Sequence, residues 1–364
     1  MTSFGDCGRS MRPSKWLMDT CRLVSGVAAT ALLLMTPAMA AEPKELRVTI
    51  QLPPGSIETN NLLRFKKHVE AGTQGDLKVS IFPSGQLVED SQVVKAVAAG
   101  RVEMGASRLG NFAEAVPATG IFMLPFMFHV PAVEEVAMNS GSPVRAPLDA
   151  AILQRTGTRV LWWQPLGSFV LLSKGGPITT PAAMAGKTVR VFDESSTALV
   201  QACGGVPIKV AGNDMYEAHR TGRVEVAQLG LTGVVARRLW EVMDNLTSTR
   251  HITDALLIVI NESIWQSLPA DHRRILEEAA GEAQKTVWAE LRKVDVEVDA
   301  LANKHGTTVT NLSNEQVLEW KICAEALLES FLEKSGPTGA RVMAGYRKVL
   351  TDAYRTPAPL PVRQ

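Results

Sequence analysis

Six histidines, four cysteines and one arginine at the end of a predicted strand are the residues of this 364-residue chain whose types and spacing could carry chemistry. His68, His129, His219, His251, His272 and His305 fall at no metal-binding spacing, and His-Glu-x-x-His, Cys-x-x-Cys and Gly-x-Ser-x-Gly do not occur. Those motifs put zinc ligands on one helix face, paired thiols on one turn, or a nucleophile on a strained elbow. Gly175-Gly176 and Gly204-Gly205 read as turns rather than phosphate loops. Most of the histidines lie in polar helical stretches and read as surface residues. Triads need not be contiguous, so these absences weigh against an enzyme without excluding one. Cys203 and Cys323 lie far apart on separate predicted helices. They could pair in an oxidising compartment, but one pair is no disulfide framework, and two buried free thiols are the expectation.

The sharper signal is Arg190, in Gly186-Lys187-Thr188-Val189-Arg190-Val191-Phe192. Ligands of open α/β sheets sit beyond the carboxyl ends of the strands. A guanidinium there can grip a carboxylate through two parallel hydrogen bonds, although a structural ion pair or a surface arginine would look the same in sequence.

The elements that must position Arg190 come in two similar runs. Strands over 46–52, 77–82 and 102–106 alternate with helices over 58–71 and 89–99, the helices facing inward through Leu62, Leu63, Phe65 and Val69 and through Val93, Val94 and Val97. Strands over 187–192, 207–210 and 224–229 alternate with helices over 195–203 and 213–221. A repeated βαβαβ rhythm implies parallel sheets covered by helices, in two domains with a cleft between them. The apolar, β-rich stretches 159–173 and 246–260 stand where the chain would cross, so each domain is built from non-contiguous segments. Residues 270–304 are strong helix formers without proline, long enough to run across both domains. Further helices are expected over 314–334 and 339–350. The division is 1–40 leader, 41–167 plus 255–307 domain I, 168–254 plus 308–355 domain II, and 356–364 a loose tail.

Composition fits a globular protein, 46% hydrophobic and 21% charged, with a formal net charge of +1. With 5% aromatics and no basic stripe, nucleic-acid binding is set aside. Arg9, Arg12, Lys15 and Arg22 precede a short apolar run, Leu23 to Met35, and then Ala38-Met39-Ala40. A basic flank, a short apolar core and an Ala-x-Ala site read as a secretory signal cleaved after Ala40, with Met1, Met11 or Met18 as the start. The run is short for a membrane anchor, which takes about 20 residues. Cleavage removes four basic and two acidic side chains together with Cys7 and Cys21, leaving a formal charge of −1.

Five segments resemble, in order, the solute-binding proteins of TRAP (tripartite ATP-independent periplasmic) transporters of the DctP type. Phe82-Pro-Ser-Gly-Gln-Leu-Val-Glu-Asp90 resembles their "FPxGQLGxD", Leu124-Pro-Phe-Met-Phe128 their "LPFLF", and the Arg190 strand their "GLKIRV". Met215 to Glu225 is similar to "VYxALQxGxVD", and Val259 to Pro269 to "VINKxxWxxLP". None is specific alone; their order over about 46–312 is. The resemblance implies a two-domain periplasmic binding fold (type II-like), with a hinged cleft and a long C-terminal helix bridging the domains. It implies no chemistry on the ligand, a periplasmic location, and delivery of a small organic acid to a membrane permease; no cofactor or metal site is assigned, a metal ion bridging the ligand stays open, and the family is mostly monomeric with some dimers. It also implies that Arg190 takes the carboxylate.

Two places depart from the family pattern. Phe169 stands where a "GFR" arginine is frequent, and Leu229, after Gln228, where an asparagine often contacts the ligand. The inferred ligand therefore has one carboxylate and a less polar body. Position nominates further lining residues: Gln51 at the end of the first strand, Glu58 and Thr59 where helix N–H groups favour anions, Arg108 and Asn111 after the third strand, Trp162 and Trp163 before the crossing, and Phe192 and Gln228 beside the motif strands. Either tryptophan could be core, Glu58 could simply cap its helix, and Arg108 could balance a nearby acid. The alternatives to transport are a binding protein that hands its ligand to a sensor receptor and, less favoured, a secreted hydrolase.

Overall fold

The computed structural model describes residues 44–355, so the signal segment and the tail lie outside the described residues. Among the described residues eleven strands form two sheets: β1 (Lys44–Thr49), β2 (Leu77–Phe82), β3 (Met104–Arg108), β4 (Thr158–Pro165), β5 (Phe169–Ser173), β6 (Thr188–Val191), β7 (Val206–Lys209), β8 (Val226–Gly230), β9 (Asn245–Ser248), β10 (Ala255–Asn261) and β11 (Thr308–Asn311). The first sheet has the order β2-β1-β3-β10-β4 and the second β11-β9-β5-β8-β6-β7.

The two βαβαβ runs form as their patterns dictate. The strands β2-β1-β3 are parallel, as are β7-β6-β8. Val48, Val79 and Met104 pack with Leu62, Phe65 and Val69 of the helix Ile57–Gly72. Leu63, assigned to the inward face, is 51% exposed; one residue past Leu62, it is turned about 100° off the buried stripe. The sheets are mixed rather than parallel. In the first, β10 runs antiparallel to both β3 and β4; in the second, β5 runs antiparallel to β8 and β9.

That mixing follows from the two apolar stretches, each of which is a pair of strands in different sheets. The first breaks between β4 and β5, where Gly167 has φ +75°, a conformation open to glycine at little steric cost. The second breaks between β9 and β10. The two breaks lie together, Leu166 N–H donating to Asp254 O at 3.0 Å.

The helix Ala270–Lys304 is about 52 Å long at 1.5 Å per residue. Leu276, Ala279 and Ala283 pack in the core with Phe65 and Trp162, while Val298 and Ala302 pack with Val170 and Leu246 of the second sheet. The helix Glu325–Arg355 is interrupted at Gly336 and Pro337. Past that kink it buries Val342, Met343 and Val349 with Val133, Leu148 and Ile152 in the core that holds β10. The sequence division instead groups 308–355 with the second sheet.

The expectation of two free thiols is corrected. Cys203 and Cys323 form a disulfide with Cα atoms 5.2 Å apart. Cys203 closes the helix Glu194–Ala202, and Cys323 ends the helix Asn314–Cys323. The tertiary packing that makes them neighbours leaves no trace in their spacing.

Candidate ligand-binding site

The carboxyl ends of β1, β3 and β6 and the loops after them face one cleft. Its outer part, about 440 Å³, is lined by Gln51, Asp90, Asn111, Arg190, Phe192, Lys209 and Gly212, among others. An inner space of about 20 Å³ shares Gln51, Arg190 and Gly212 with it and adds Arg108, Leu229, Thr232 and Arg237. The walls meet across the cleft: Asn213 Nδ2 donates to Ser84 O at 3.0 Å.

Arg190 is 2% exposed. Its Nε donates to Val210 O at 3.1 Å and its Nη1 to Gln228 O at 3.2 Å. Among the described residues no carboxylate forms an ion pair with it. Burial pushes its pKa well down, and the positive charges of Arg108 and Arg237 add to that, with Asp193 and Asp90 opposing. Arg237 follows the helix Leu231–Ala236; burial and Arg108 lower it to about 10, and its Nε donates to Gly212 O at 2.8 Å. Arg108 pairs with the wholly buried Asp254. Arg108 Cζ lies 3.9 Å and Arg190 Cζ 4.6 Å from the centroid of the Phe192 ring, both within reach of a cation–π attraction. Three arginines thus converge with one of them paired, an arrangement that attracts an anion.

Gln51, Arg108, Asn111, Arg190, Phe192 and Leu229 of the sequence-nominated residues line these spaces. Asn111 Nδ2 donates to Asp90 O and to Ser107 Oγ. Glu58 is wholly buried behind the inner space; burial raises its pKa, with Thr232 and Arg237 pulling the other way. Thr59 accepts from Ser56 at the helix start. Phe169 is buried 6.0 Å from the Phe192 ring. Six nominations line neither space: Glu58, Thr59, Phe169, Trp162, Trp163 and Gln228. Trp163 is fully buried and donates to Asp149 Oδ1 at 2.9 Å, and Trp162 stacks on Phe65 at 4.7 Å, so both indoles are core. The Gln228 side chain turns to the far face of β8, donating to Arg190 O at 3.1 Å and meeting His251 Nε2 at 3.3 Å; only its carbonyl supports the Arg190 guanidinium.

Sequence reasoning missed Arg237, Gly212, Thr232 and Asp254. Asp254 did carry a signal, as a lone acid inside an apolar run that needed a buried cation. Arg237 sits beside Arg238 at a helix end, and nothing local separates the two.

The reading of the histidines as surface residues is corrected for His219 and His251, which are 0% and 4% exposed. His219 Nδ1 bonds Val224 O at 3.0 Å, and His251 joins Thr249 to Gln228. Burial lowers His219 to about 4 and His251 to about 3. The stability from their neutral forms is whole above pH 6.5, where unfolded histidine titrates, and is lost as pH falls toward 4. Burial raises Asp254 to about 6 against Arg108, which acts oppositely: between pH 6 and 4 the folded chain holds that proton and the unfolded chain releases it. His219→Asn, which keeps a donor to Val224, removes this histidine's proton uptake, so from pH 6 to pH 4 the variant's melting temperature is expected to gain on that of the wild type.

Residues 48–335 match the family described as bacterial extracellular solute-binding protein, family 7 (DctP). The chain is 26% identical over 320 residues to the C4-dicarboxylate-binding periplasmic protein DctP of Rhodobacter capsulatus, covering 85% of this chain and 93% of that one. It is 24% identical over 259 residues to the 2,3-diketo-L-gulonate-binding periplasmic protein YiaO of Escherichia coli, covering 69% and 76%. Its fold is similar to that of DctP7 of Bordetella pertussis, an extracytoplasmic solute receptor binding pyroglutamic acid, with TM-score 0.78 at 20% identity over 84% of this chain and 99% of that one. It is equally similar to the sugar acid binding protein DctPAm of Advenella mimigardefordensis in complex with galactonate, with TM-score 0.78 at 21% identity over 85% and 99%.

Proposed function

The chain belongs to family 7 of the bacterial extracellular solute-binding proteins, and from that premise we propose that it holds a small organic acid by its carboxylate on Arg190 and delivers it to a TRAP membrane permease. It is a transport protein rather than an enzyme, and among the described residues no helix is long and apolar enough to cross a membrane.

One observation carries the reading: a buried guanidinium with two donors spent on Val210 O and Gln228 O and no acid among the described residues paired to it, at the point where the inner and outer spaces meet. Charge-assisted hydrogen bonds contribute about 1.5–3 kcal/mol each. The acids for which relatives and fold neighbours are named support the ligand class. Leu229, apolar on the inner space, supports a single carboxylate on a less polar body. The two lobes built on the two sheets close on the acid, because a ligand touching both favours the closed state by its differential affinity. The signal leaves after Ala40, and the mature chain works as a periplasmic monomer.

The test is a thermal-shift screen of the chain from Ala41 against small organic acids and their neutral amides. At a hundred times its dissociation constant a ligand adds about 2.7 kcal/mol. Acids are expected to raise the melting temperature and amides not to. Equal shifts for an acid and its amide would sink the carboxylate reading.

A further inference from the structure

A cavity of about 740 Å³ opens on the first lobe and shares no lining residue with either cleft space. Its base is the edge of the first sheet. β4 ends the order β2-β1-β3-β10-β4, so one side of it has no strand neighbour. Arg159, Val160 and Leu161 all line the cavity. Successive side chains of a strand point to opposite faces, so what three in succession share is the strand's edge. Among the described residues, no backbone group of 159–161 bonds outside the ladder with β10. Two helices wall this edge. Arg145 and Asp149 come from the helix Arg145–Thr156, and Glu277, Gly281 and Lys285 from the helix Ala270–Lys304. Those last three are exposed and stand four residues apart, on one stripe of their helix. A Cβ at Gly281 would meet nothing within 4 Å, so the stripe is open at its middle. Arg145 is 2% exposed. Its Nε donates to Asp149 Oδ2 at 2.7 Å, and its Nη1 to Gln284 Oε1 at 2.6 Å and Met138 O at 3.2 Å. Its Nη2 has no partner among the described residues and is not sealed off. Asp149 already balances the charge, so this last donor suits a neutral carbonyl oxygen better than a second carboxylate.

We infer that this groove docks an extended peptide segment of a partner protein, which adds a strand beside β4 and carries an acidic and a basic residue four positions apart. A peptide laid along β4 gives its carbonyls and N–H groups to the bare edge, the main-chain pairing from which strand addition draws its affinity. It also covers an edge otherwise open to indiscriminate pairing. The charge pattern comes from the helix wall. Among the described residues neither Glu277 nor Lys285 forms an ion pair, although their helix neighbours Glu278, Glu290 and Lys293 do. The two lie about 12 Å apart along the helix, at 1.5 Å per residue. Four residues of a strand span about 13–14 Å and return to the same face, so one side of the peptide meets both charges.

The test is fluorescence anisotropy of the purified protein with labelled nonapeptides of alternating threonine and valine that carry one glutamate and one lysine. With the charges four apart, one of the two orders is expected to bind about tenfold more tightly than the same composition with the charges three apart, on opposite faces. Methylating alternate backbone nitrogens of the better peptide should weaken it by about tenfold or more, because the strand pairing is lost. Gly281→Leu fills the groove and should abolish binding, while melting no lower than the wild type, since leucine is the better helix former. The Glu277→Lys, Lys285→Glu double variant changes only exposed positions and should reverse which order binds better. Absence of binding by both orders, indifference to N-methylation, binding that survives Gly281→Leu, or an order preference that the double variant leaves unchanged would overturn the inference.

Discussion

Arg190→Ala is expected to weaken acid binding by roughly a hundredfold to a few thousandfold, because a carboxylate enclosed without its cation costs about 3–5 kcal/mol. Arg190→Lys should recover only part of this. An ammonium cannot hold Val210 O and Gln228 O and still present a planar pair of donors to the ligand. The ligand-free protein should respond differently. Burial and two neighbouring arginines already disfavour the charged form of Arg190, so removing it relieves repulsion as well as losing two backbone hydrogen bonds. The melting temperature without ligand is expected to change little while affinity collapses, the trade-off of a site kept strained for function. Calorimetry and thermal melts on one preparation check both halves. An affinity loss matched by a large loss of ligand-free stability would make Arg190 a structural residue.

The second large effect concerns the bond between Cys203 and Cys323, which closes a loop of 120 residues. Loops of that length lose about 3–5 kcal/mol of stability when the link is cut, mainly through freedom returned to the unfolded chain. The Cys203→Ser, Cys323→Ser double variant should therefore melt several degrees lower, with a matching fall in the denaturation midpoint. Its affinity for acids should hold, since neither sulfur lines the cleft. Reductant should lower the wild type to the same melting temperature and leave the variant unmoved; a wild type indifferent to reductant would contradict the bond.

Much of the fold was legible because its signals are local. Alternating valines and leucines marked β1 and β2, and the glycine pair after Cys203 stopped a helix where expected. Arg190 was legible as a cation at a strand end. What escaped was decided by distant partners. The sheets are mixed because β10 inserts between β3 and β4, and no residue of β10 announces that pairing. Trp163 and Trp162 both went inward, since one packs under the first sheet toward Asp149 and the other against Phe65. Gln228 alternates with Leu229 on one strand, so when Leu229 faces the cleft the Gln228 side chain must turn away. Arg237 became a site residue only because the helix after β8 folds back toward Gly212.

The place of β10 also sets the order in which the molecule can be made. Residues 255–261 are an interior strand of the first sheet, bonded to β3 on one side and β4 on the other. Until the chain has been delivered beyond them, residues 44–165 can pair β2, β1 and β3 but must leave β3 and β4 with bare edges. The 89 residues between β4 and β10 separate two stages of delivery, and until they have passed the half-built sheet exposes edges open to pairing with other chains. The nascent protein thus emerges with its first lobe waiting on its second. Truncations that end before residue 261 should yield aggregates rather than a stable half, and any factor that guards this chain has most to do in that interval.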